Sequence, residues 1–238
     1  MLLIWFENNF FYLTIILIAF GLVNESVNLS KITVVKYKNN FYKFILFSLL
    51  VFIVLSLLLS KISNLLFLNL FIIYFLITVT IYRYDIFTLF FLNIILISTV
   101  LSILIFQINP KILLYLIIIN SVSDIGAYIF GNILKGPKIF PNISPNKTFS
   151  GSISAVFCSI LISYYLQLSD NLYMNFILGL LISLFGQLGD LFESKYKRIK
   201  GVKDSGSFLP GHGGFLDRCD SLLFSSIFIF APIYLNLI

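Results

Sequence analysis

The sequence predicts an all-α integral membrane protein, a polytopic bundle of about eight transmembrane helices. The chain of 238 residues is 59% hydrophobic and only 11% charged, and its mean hydropathy is +1.02. Soluble domains carry roughly a quarter charged residues. The apolar runs are also long enough to cross a bilayer, which takes about 20 residues per helix. The composition therefore excludes a soluble fold.

Polar breaks divide the chain into eight apolar segments. The predicted spans are 9–28, 42–60, 64–82, 86–106, 111–133, 151–169, 172–192 and 221–238. The first is expected to be a retained helix, because the stretch before it has neither a basic region nor a small-residue cleavage site. We expect a single membrane domain over 1–238, with hydrophobic helices in 1–110 and the functional residues in 111–238.

The lysines and arginines predict the orientation of these spans. Of the 16 cations, 14 lie in the loops after spans one, three, five and seven, and the alternate loops hold only Lys61 and Lys111. Cytoplasmic loops are enriched in lysine and arginine. Both termini are therefore expected outside, and much of the formal charge of +6 is a topology signal that requires no nucleic-acid partner.

Carboxylates are concentrated on this cytoplasmic side, between spans seven and eight. The 31 residues 190–220 hold 11 of the 26 acidic and basic side chains. Asp190 ends one span, while Asp217 and Asp220 begin the next and share one helix face. A helix hairpin would bring the three acids to one level, where such hard oxygen ligands suit Mg²⁺. The alternative is that Asp217 and Asp220 only cap span eight.

Cations and glycines surround these acids. The cationic set is Lys195, Lys197, Arg198, Lys200, Lys203, His212 and Arg218. Five of the 13 glycines fall between 201 and 214, where they allow close backbone approach and offer N–H groups to anionic oxygens. Acids for a metal and cations for phosphate together indicate a nucleoside triphosphate site.

A second polar group lies in span five and the loop after it. Asp124 falls inside the span, where a charge costs roughly 2.5–3.5 kcal/mol, so it is a functional candidate. The alternative is a packing acid satisfied by Ser121 or Ser123. Lys147 is either a phosphate ligand or a surface lysine. Glu25, in the first span, has no partner or motif in the sequence and is assigned no role.

The stretch "SKYKRIKGVKDSGSFLPGHGGFLDRCD", Ser194–Asp220, resembles the signature of the phosphatidate cytidylyltransferase (CDP-diacylglycerol synthase) family. Its Ser, Lys-Arg, Lys-Asp, His-Gly-Gly and Asp-Arg-x-Asp elements follow in the family's order and spacing. "GQLGDLFES" before it and "SPNKT" at 144–148 also look like family segments. The sequence departs from the family at Ile125, where Thr is common, and at Ser150, where Glu is usual.

The resemblance implies transfer of CMP from CTP to phosphatidate, giving CDP-diacylglycerol and pyrophosphate, with Mg²⁺ and a second, monovalent cation as cofactor candidates. The implied metal ligands are Asp190, Asp217 and Asp220. The implied catalytic residues are Lys197, Arg198, Lys203, Asp204, His212 and Arg218. The implied substrate-binding residues are Asp124, Lys147, Ser194, Gly213 and Gly214. We expect a bacterial inner-membrane enzyme with a cytoplasmic active site, membrane lipid around it, and a homodimer as a candidate assembly.

Two other functions fit the composition. A CTP-dependent polyprenol or phytol kinase would move the γ-phosphate of CTP to a lipid alcohol, so labelled α- and γ-phosphates distinguish the two enzymes. An ion-coupled transporter would also use intramembrane acids. That class is expected to show internal repeats or broken half-helices, which the sequence lacks.

Cysteine substitution tests the topology. Single cysteines at 36–40 and 200–206 should react with a membrane-impermeant maleimide only once the cytoplasmic side is opened, because both loops carry the cation excess. Lys61→Cys, in an alternate loop, is the control and should react in intact cells. Labelling of either predicted cytoplasmic loop from outside would overturn the assigned orientation.

Overall fold

The computed structural model describes residues 14, 15, 17–26, 28, 29, 91, 94, 95, 97–99, 101, 102, 105, 108–206, 213–234 and 238. An amino-terminal helix, α1, covers Leu17–Ser26. The later elements are α2 (Pro110–Leu134), β1 (Lys138–Phe140), β2 (Ser144–Thr148), α3 (Phe149–Leu166), α4 (Leu172–Ile199) and α5 (Leu216–Tyr234). The part of the chain that the structure describes is therefore mostly helical, as the sequence predicts.

The chain divides into two compact units. One comprises Met1–Leu104 and Asp204–Leu216, and the other comprises Ile105–Lys203 and Asp217–Ile238. The first unit includes α1 and the segment that leads into α5. The second unit includes α2, the β-hairpin, α3, α4 and all of α5 beyond its first residue. Most of the predicted site residues therefore belong to the second unit.

Three helices within the described residues are long and apolar enough to cross a membrane, namely α2, α3 and α4. They correspond to predicted spans five, six and seven. The eighth predicted span is also helical, as α5. Spans 42–60 and 64–82 lie outside the described residues, and spans 9–28 and 86–106 are described only in part. The total of about eight helices stays a prediction.

Local signals explain where the helices begin. The Asn109 side chain accepts a hydrogen bond from the N–H of Lys111 at 3.0 Å, and Pro110 occupies the first turn of α2. The Thr148 hydroxyl accepts from the N–H of Gly151 at 3.1 Å and so begins α3. Such side chains satisfy N–H groups that a helix leaves without a partner.

The boundaries of α4 and α5 differ from those predicted. α4 continues past residue 192 to Ile199, so Lys195, Lys197 and Arg198 lie on its last turns and not in a loop. Cations at this position are stabilised by the negative, C-terminal end of the helix dipole. α5 begins at Leu216, before the predicted start at 221. The stretch between the helices is shorter than the sequence suggested.

A two-stranded β-hairpin joins α2 to α3, and the prediction of an all-α fold missed it. β1 and β2 pair antiparallel, with Lys138 opposite Thr148 and Phe140 opposite Ser144. The N–H of Phe149 donates to the carbonyl of Pro137 at 2.9 Å, which ties the hairpin to the start of α3. The hairpin gives Lys147, on β2, a fixed position.

The core of the second unit lies between α2, α4 and α5. Its buried residues are Ile105, Ile112, Tyr115, Leu116, Ile119, Leu178, Ile182, Ile229 and Ile233. Glycine and serine bring α3 and α4 into close contact: Gly179 packs on Ser159, Ile160 and Ser163. Small residues let membrane helices approach closely, and this contact is of that kind.

Gly179→Ala should destabilise the protein by about 1–3 kcal/mol, because its Cβ would lie 2.8 Å from the carbonyl oxygen of Ser159 and 2.9 Å from Cα of Ile160. The melting temperature in detergent measures the effect. Gly21→Ala on α1 is the matched control, since its Cβ would come no closer than 3.6 Å to Phe215. Equal melting temperatures for the two variants would contradict the tight α3–α4 contact.

Candidate functional site

The backbones of α4 and α5 come close together beside the predicted acids. A Cβ on Gly189 would lie 2.5 Å from the carbonyl oxygen of Asp220 and 2.9 Å from the ring of Phe224. Any larger residue at 189 would therefore push the two helices apart. Asp190 directly follows this glycine, so the contact places an acid of α4 beside an acid of α5.

An acidic cluster forms at this contact. Asp190, Glu193 and Asp220 each offer a carboxylate oxygen within 4.8 Å of the other two. The structure thus brings together two of the three predicted ligands. It adds Glu193, which sequence reasoning missed although its i,i+3 spacing from Asp190 puts both on one face of α4. Asp217 lies outside this group of three.

Two lysines balance the acids. Lys147 Nζ lies 2.5 Å from Asp190 Oδ2. Lys197 Nζ lies 2.7 Å from Glu193 Oε2 and 2.7 Å from Asp217 Oδ1, so it bridges α4 and α5. Lys147 is therefore a paired lysine and not a free surface cation. Lys197 engages two carboxylates, and only 12% of its side chain is exposed.

Asp124, on α2, takes part in the same electrostatic group. It interacts with the charges of Asp190 and Lys147, and Asp220 in turn interacts with Asp124. Neither neighbouring serine acts as the expected partner: the Ser121 hydroxyl donates to the Ile117 carbonyl at 2.8 Å, and Ser123 shares a hydrogen bond with Ser183. The packing alternative for Asp124 therefore lacks the hydrogen bonds on which it depended.

The donor set fits a divalent cation. When ionised, Asp124, Asp190, Glu193, Asp217 and Asp220 carry five negative charges against the two positive charges of the lysines. Glu193 is 1% exposed, and its Oε1 accepts no hydrogen bond from any residue that the structure describes. Buried carboxylates are ordinarily paired or bound to metal. Clustered carboxylate oxygens are hard ligands of the type that Mg²⁺ prefers.

Buried polar side chains hold the helices that carry the cluster. Asn120 on α2 donates to Ser225 Oγ of α5 at 2.8 Å. Ser123 and Ser183 join α2 to α4 through hydroxyl groups 2.8 Å apart. Gln187 of α4 hydrogen-bonds to Ser152 of α3. Each bond crosses a helix–helix contact, so the positions of the acids are fixed by specific polar pairs as well as by apolar packing.

The other predicted site residues are distributed around the cluster. The Ser194 hydroxyl donates to Asp190 Oδ1 at 3.3 Å. Arg198 Nε donates to the carbonyl of Ile143 at 3.2 Å, which ties the end of α4 to the hairpin turn. Lys203, Asp204 and Arg218 are exposed, Gly213 has a φ of 84°, and Gly214 is buried. His212 lies outside the described residues.

Comparison with known proteins decides the family. The sequence matches the cytidylyltransferase family over residues 1–236. The chain belongs to this family. Membership confirms the resemblance carried by the Ser194–Asp220 signature. The match also covers the N-terminal half of the chain, which holds none of the signature segments.

Several bacterial relatives are similar to this cytidylyltransferase-family chain. Phosphatidate cytidylyltransferase of Staphylococcus epidermidis is 50% identical over 118 residues, which are 48% of this chain and 45% of that protein. The Staphylococcus aureus protein of the same name is 48% identical over 116 residues, and that of Staphylococcus haemolyticus is 45% identical over 116 residues. Each of these two matches covers 47% of this chain and 45% of the relative. The chain therefore spans a little under half the length of the curated relatives that it matches.

Lys197→Met should destabilise the protein by roughly 1–3 kcal/mol, because it leaves the buried Glu193 carboxyl and Asp217 without the ammonium group that both contact. Combining it with Glu193→Gln should recover a large part of the loss. The melting temperature in detergent measures both effects. Lys203→Met, which removes an exposed cation of the same type, is the control and should stay close to wild type. A Lys197→Met protein as stable as the control would mean that the bridging pair contributes little.

Proposed function

We propose that the protein is a phosphatidate cytidylyltransferase that transfers CMP from CTP to phosphatidate, giving CDP-diacylglycerol and pyrophosphate. The observation that carries this proposal is the acidic cluster of Asp190, Glu193 and Asp220, with Lys147 and Lys197 beside it. Membership of the cytidylyltransferase family and the names of the staphylococcal relatives support the same reaction.

Mg²⁺ is the proposed cofactor, held by Asp190 and Asp220 with Glu193 next to them. When bound, it would neutralise phosphate charge and so reduce the repulsion between two anionic substrates. Asp217 stays a predicted ligand, although its Oδ1 is engaged by Lys197 in the structure. A monovalent cation in the same electrostatic group is the predicted second ion.

The reaction requires little covalent chemistry from the protein. An anionic phosphate oxygen of phosphatidate attacks the α-phosphorus of CTP and forms the new P–O bond. The bond from that phosphorus to the bridging oxygen of the β-phosphate breaks, and its electron pair leaves with pyrophosphate. Because the nucleophile is already ionised, no general base is needed. The protein must mainly position two anions and balance their charge.

The basic residues are proposed to bind the phosphates. Lys147 reaches the cluster from β2, and Lys197 reaches it from α4, so the cations approach the acids from different elements. Lys203 follows the end of α4, and Arg218 lies in the first turn of α5. Both are exposed, so a nucleotide could contact them. We keep the predicted catalytic roles for Arg198, Asp204 and His212. The predicted substrate-binding roles are kept for Asp124, Ser194, Gly213 and Gly214.

The apolar helices support a membrane location. Together with the bacterial relatives, they favour the inner membrane, with phosphatidate entering laterally from the bilayer. The cation-rich loops would then put the site on the cytoplasmic side, where CTP is available.

The central test is an assay of purified protein with CTP, phosphatidate and Mg²⁺. We expect CDP-diacylglycerol and pyrophosphate, with label from α-phosphate-labelled CTP entering the lipid. Asp190→Asn and Asp220→Asn should each lower turnover at least about 100-fold, because an amide is an uncharged and poor Mg²⁺ ligand. The matched control is Asp170→Asn, an exposed aspartate between α3 and α4. In a parallel reaction with a polyprenol in place of phosphatidate, lipid labelled only from γ-phosphate-labelled CTP would instead identify a kinase.

Asp217→Asn distinguishes two roles of Asp217, as a Mg²⁺ ligand or only as the ion-pair partner of Lys197. As a ligand, it should raise the Mg²⁺ concentration needed for half-maximal rate, as Asp220→Asn does. As a partner of Lys197 alone, it should leave this Mg²⁺ requirement at the wild-type value. The Mg²⁺ titration therefore decides whether the predicted assignment of Asp217 is correct.

A further inference from the structure

Glu25 is a buried carboxylate to which neither the sequence nor the proposed chemistry gives a role. It lies on α1 and is 6% exposed. Its Oε1 accepts a hydrogen bond from the backbone N–H of Phe215 at 2.7 Å. Its Oε2 accepts from the backbone N–H of Leu216 at 2.9 Å and from the Ser205 hydroxyl at 2.8 Å. Among the described residues Glu25 thus has three hydrogen-bond partners, all within the first unit.

These partners lie where the chain enters α5. Leu216 is the first residue of the helix, and Phe215 stands just before it, in the position that Ser, Thr, Asp or Asn ordinarily occupies to cap the first turn. A phenylalanine side chain has no hydrogen-bond acceptor. From another helix, Glu25 accepts hydrogen bonds from the N–H groups of Phe215 and Leu216, which a helix start leaves without a partner inside the helix, and its negative charge is favoured at a helix N-terminus.

Two glycines of the signature make room for this carboxylate. A Cβ on Gly206 would lie 2.8 Å from Glu25 Oε1. A Cβ on Gly214 would lie 2.5 Å from Glu25 Oε2 and would overlap the Ser205 hydroxyl. A side chain at either position would therefore displace the carboxylate of Glu25.

We propose that Glu25 is a positioning residue for the acidic site. It fixes the first turn of α5, and that helix continues without a break through Asp217 and Asp220. A change in the first turn is therefore carried along the same helix to the residues that bear these two carboxylates. The expected effect on Mg²⁺ use rests on the proposed cytidylyl transfer. The hydrogen bonds of Glu25 are independent of it.

Glu25→Gln is the sharpest variant, because it keeps the size of the side chain and replaces one acceptor oxygen with an amide group. Either the N–H of Phe215 or both the N–H of Leu216 and the Ser205 hydroxyl then lose their acceptor. The Mg²⁺ concentration for half-maximal CDP-diacylglycerol formation should rise about 10–100-fold, the usual effect of disturbing groups that orient metal ligands. The rate at saturating Mg²⁺ should change much less. Asn28→Ala, at an exposed position in the helical stretch that follows α1, is the control.

The two cysteines provide a second measurement that needs neither metal nor substrate. Cys219 lies in the first turns of α5 and Cys158 lies on α3; both are partly exposed thiols that form no disulfide. In Glu25→Gln, maleimide should label Cys219 about fivefold faster, because the first turn opens more often. Cys158 should keep its wild-type rate, which also reports that the variant is folded.

Ser205→Ala removes one donor and keeps the carboxylate, so both effects should be smaller but in the same direction. This variant also provides the test if Glu25→Gln yields no folded protein. A faster Cys219 reaction at an unchanged Mg²⁺ requirement would make Glu25 a purely structural residue and overturn the proposal, as would an unchanged Cys219 rate. A wild-type protein that forms no CDP-diacylglycerol would instead defeat the proposed function, and the labelling would still test the Glu25 contacts.

Discussion

The ion pairs of Lys147 and Lys197 are the interactions on which the acidic end of α4 and α5 depends. As ionised carboxylates, Asp190, Glu193 and Asp220 could not lie within 4.8 Å of one another in an apolar surrounding without nearby positive charge. Lys197 supplies it between the helices, and Lys147 supplies it from the hairpin. The hairpin and the last turns of α4 both serve this charge balance, because each places one ammonium group beside the acids.

Close backbone contact is the second constraint. Apolar burial gives little preference for one helix partner over another in a bilayer, where lipid is as apolar as leucine. Gly179 and Gly189 let α4 approach α3 and α5, and hydrogen bonds such as Asn120 to Ser225 then fix the pairing. The positions of the carboxylates therefore depend on packing next to them, at Gly189, and on contacts further along the helices.

The sequence predicted those parts of the site that depend on local spacing. Asp190 and Asp220 converge as the helix hairpin implied, whereas Lys195, Lys197 and Arg198 were wrongly assigned to a loop because a charged helix end resembles one. Tyr196, fully buried, and Lys197, paired with two acids, keep this end helical. The role of Glu25 could not be predicted, because its partners lie 180–191 residues away and two of them are backbone N–H groups.

The two lysines also differ in when they can act during synthesis of the chain. Glu193 and Lys197 are four residues apart on α4, so their pair can form as soon as that helix forms. Lys147 is made before Asp190 but can meet it only after α3 and α4 have docked. Until then Asp190 must remain near water or charged headgroups, because an unpaired acid is costly inside the bilayer. If docking of the hairpin is delayed, Glu193 already has its lysine, whereas Asp190 does not. Docking of the hairpin is therefore the step that completes charge compensation.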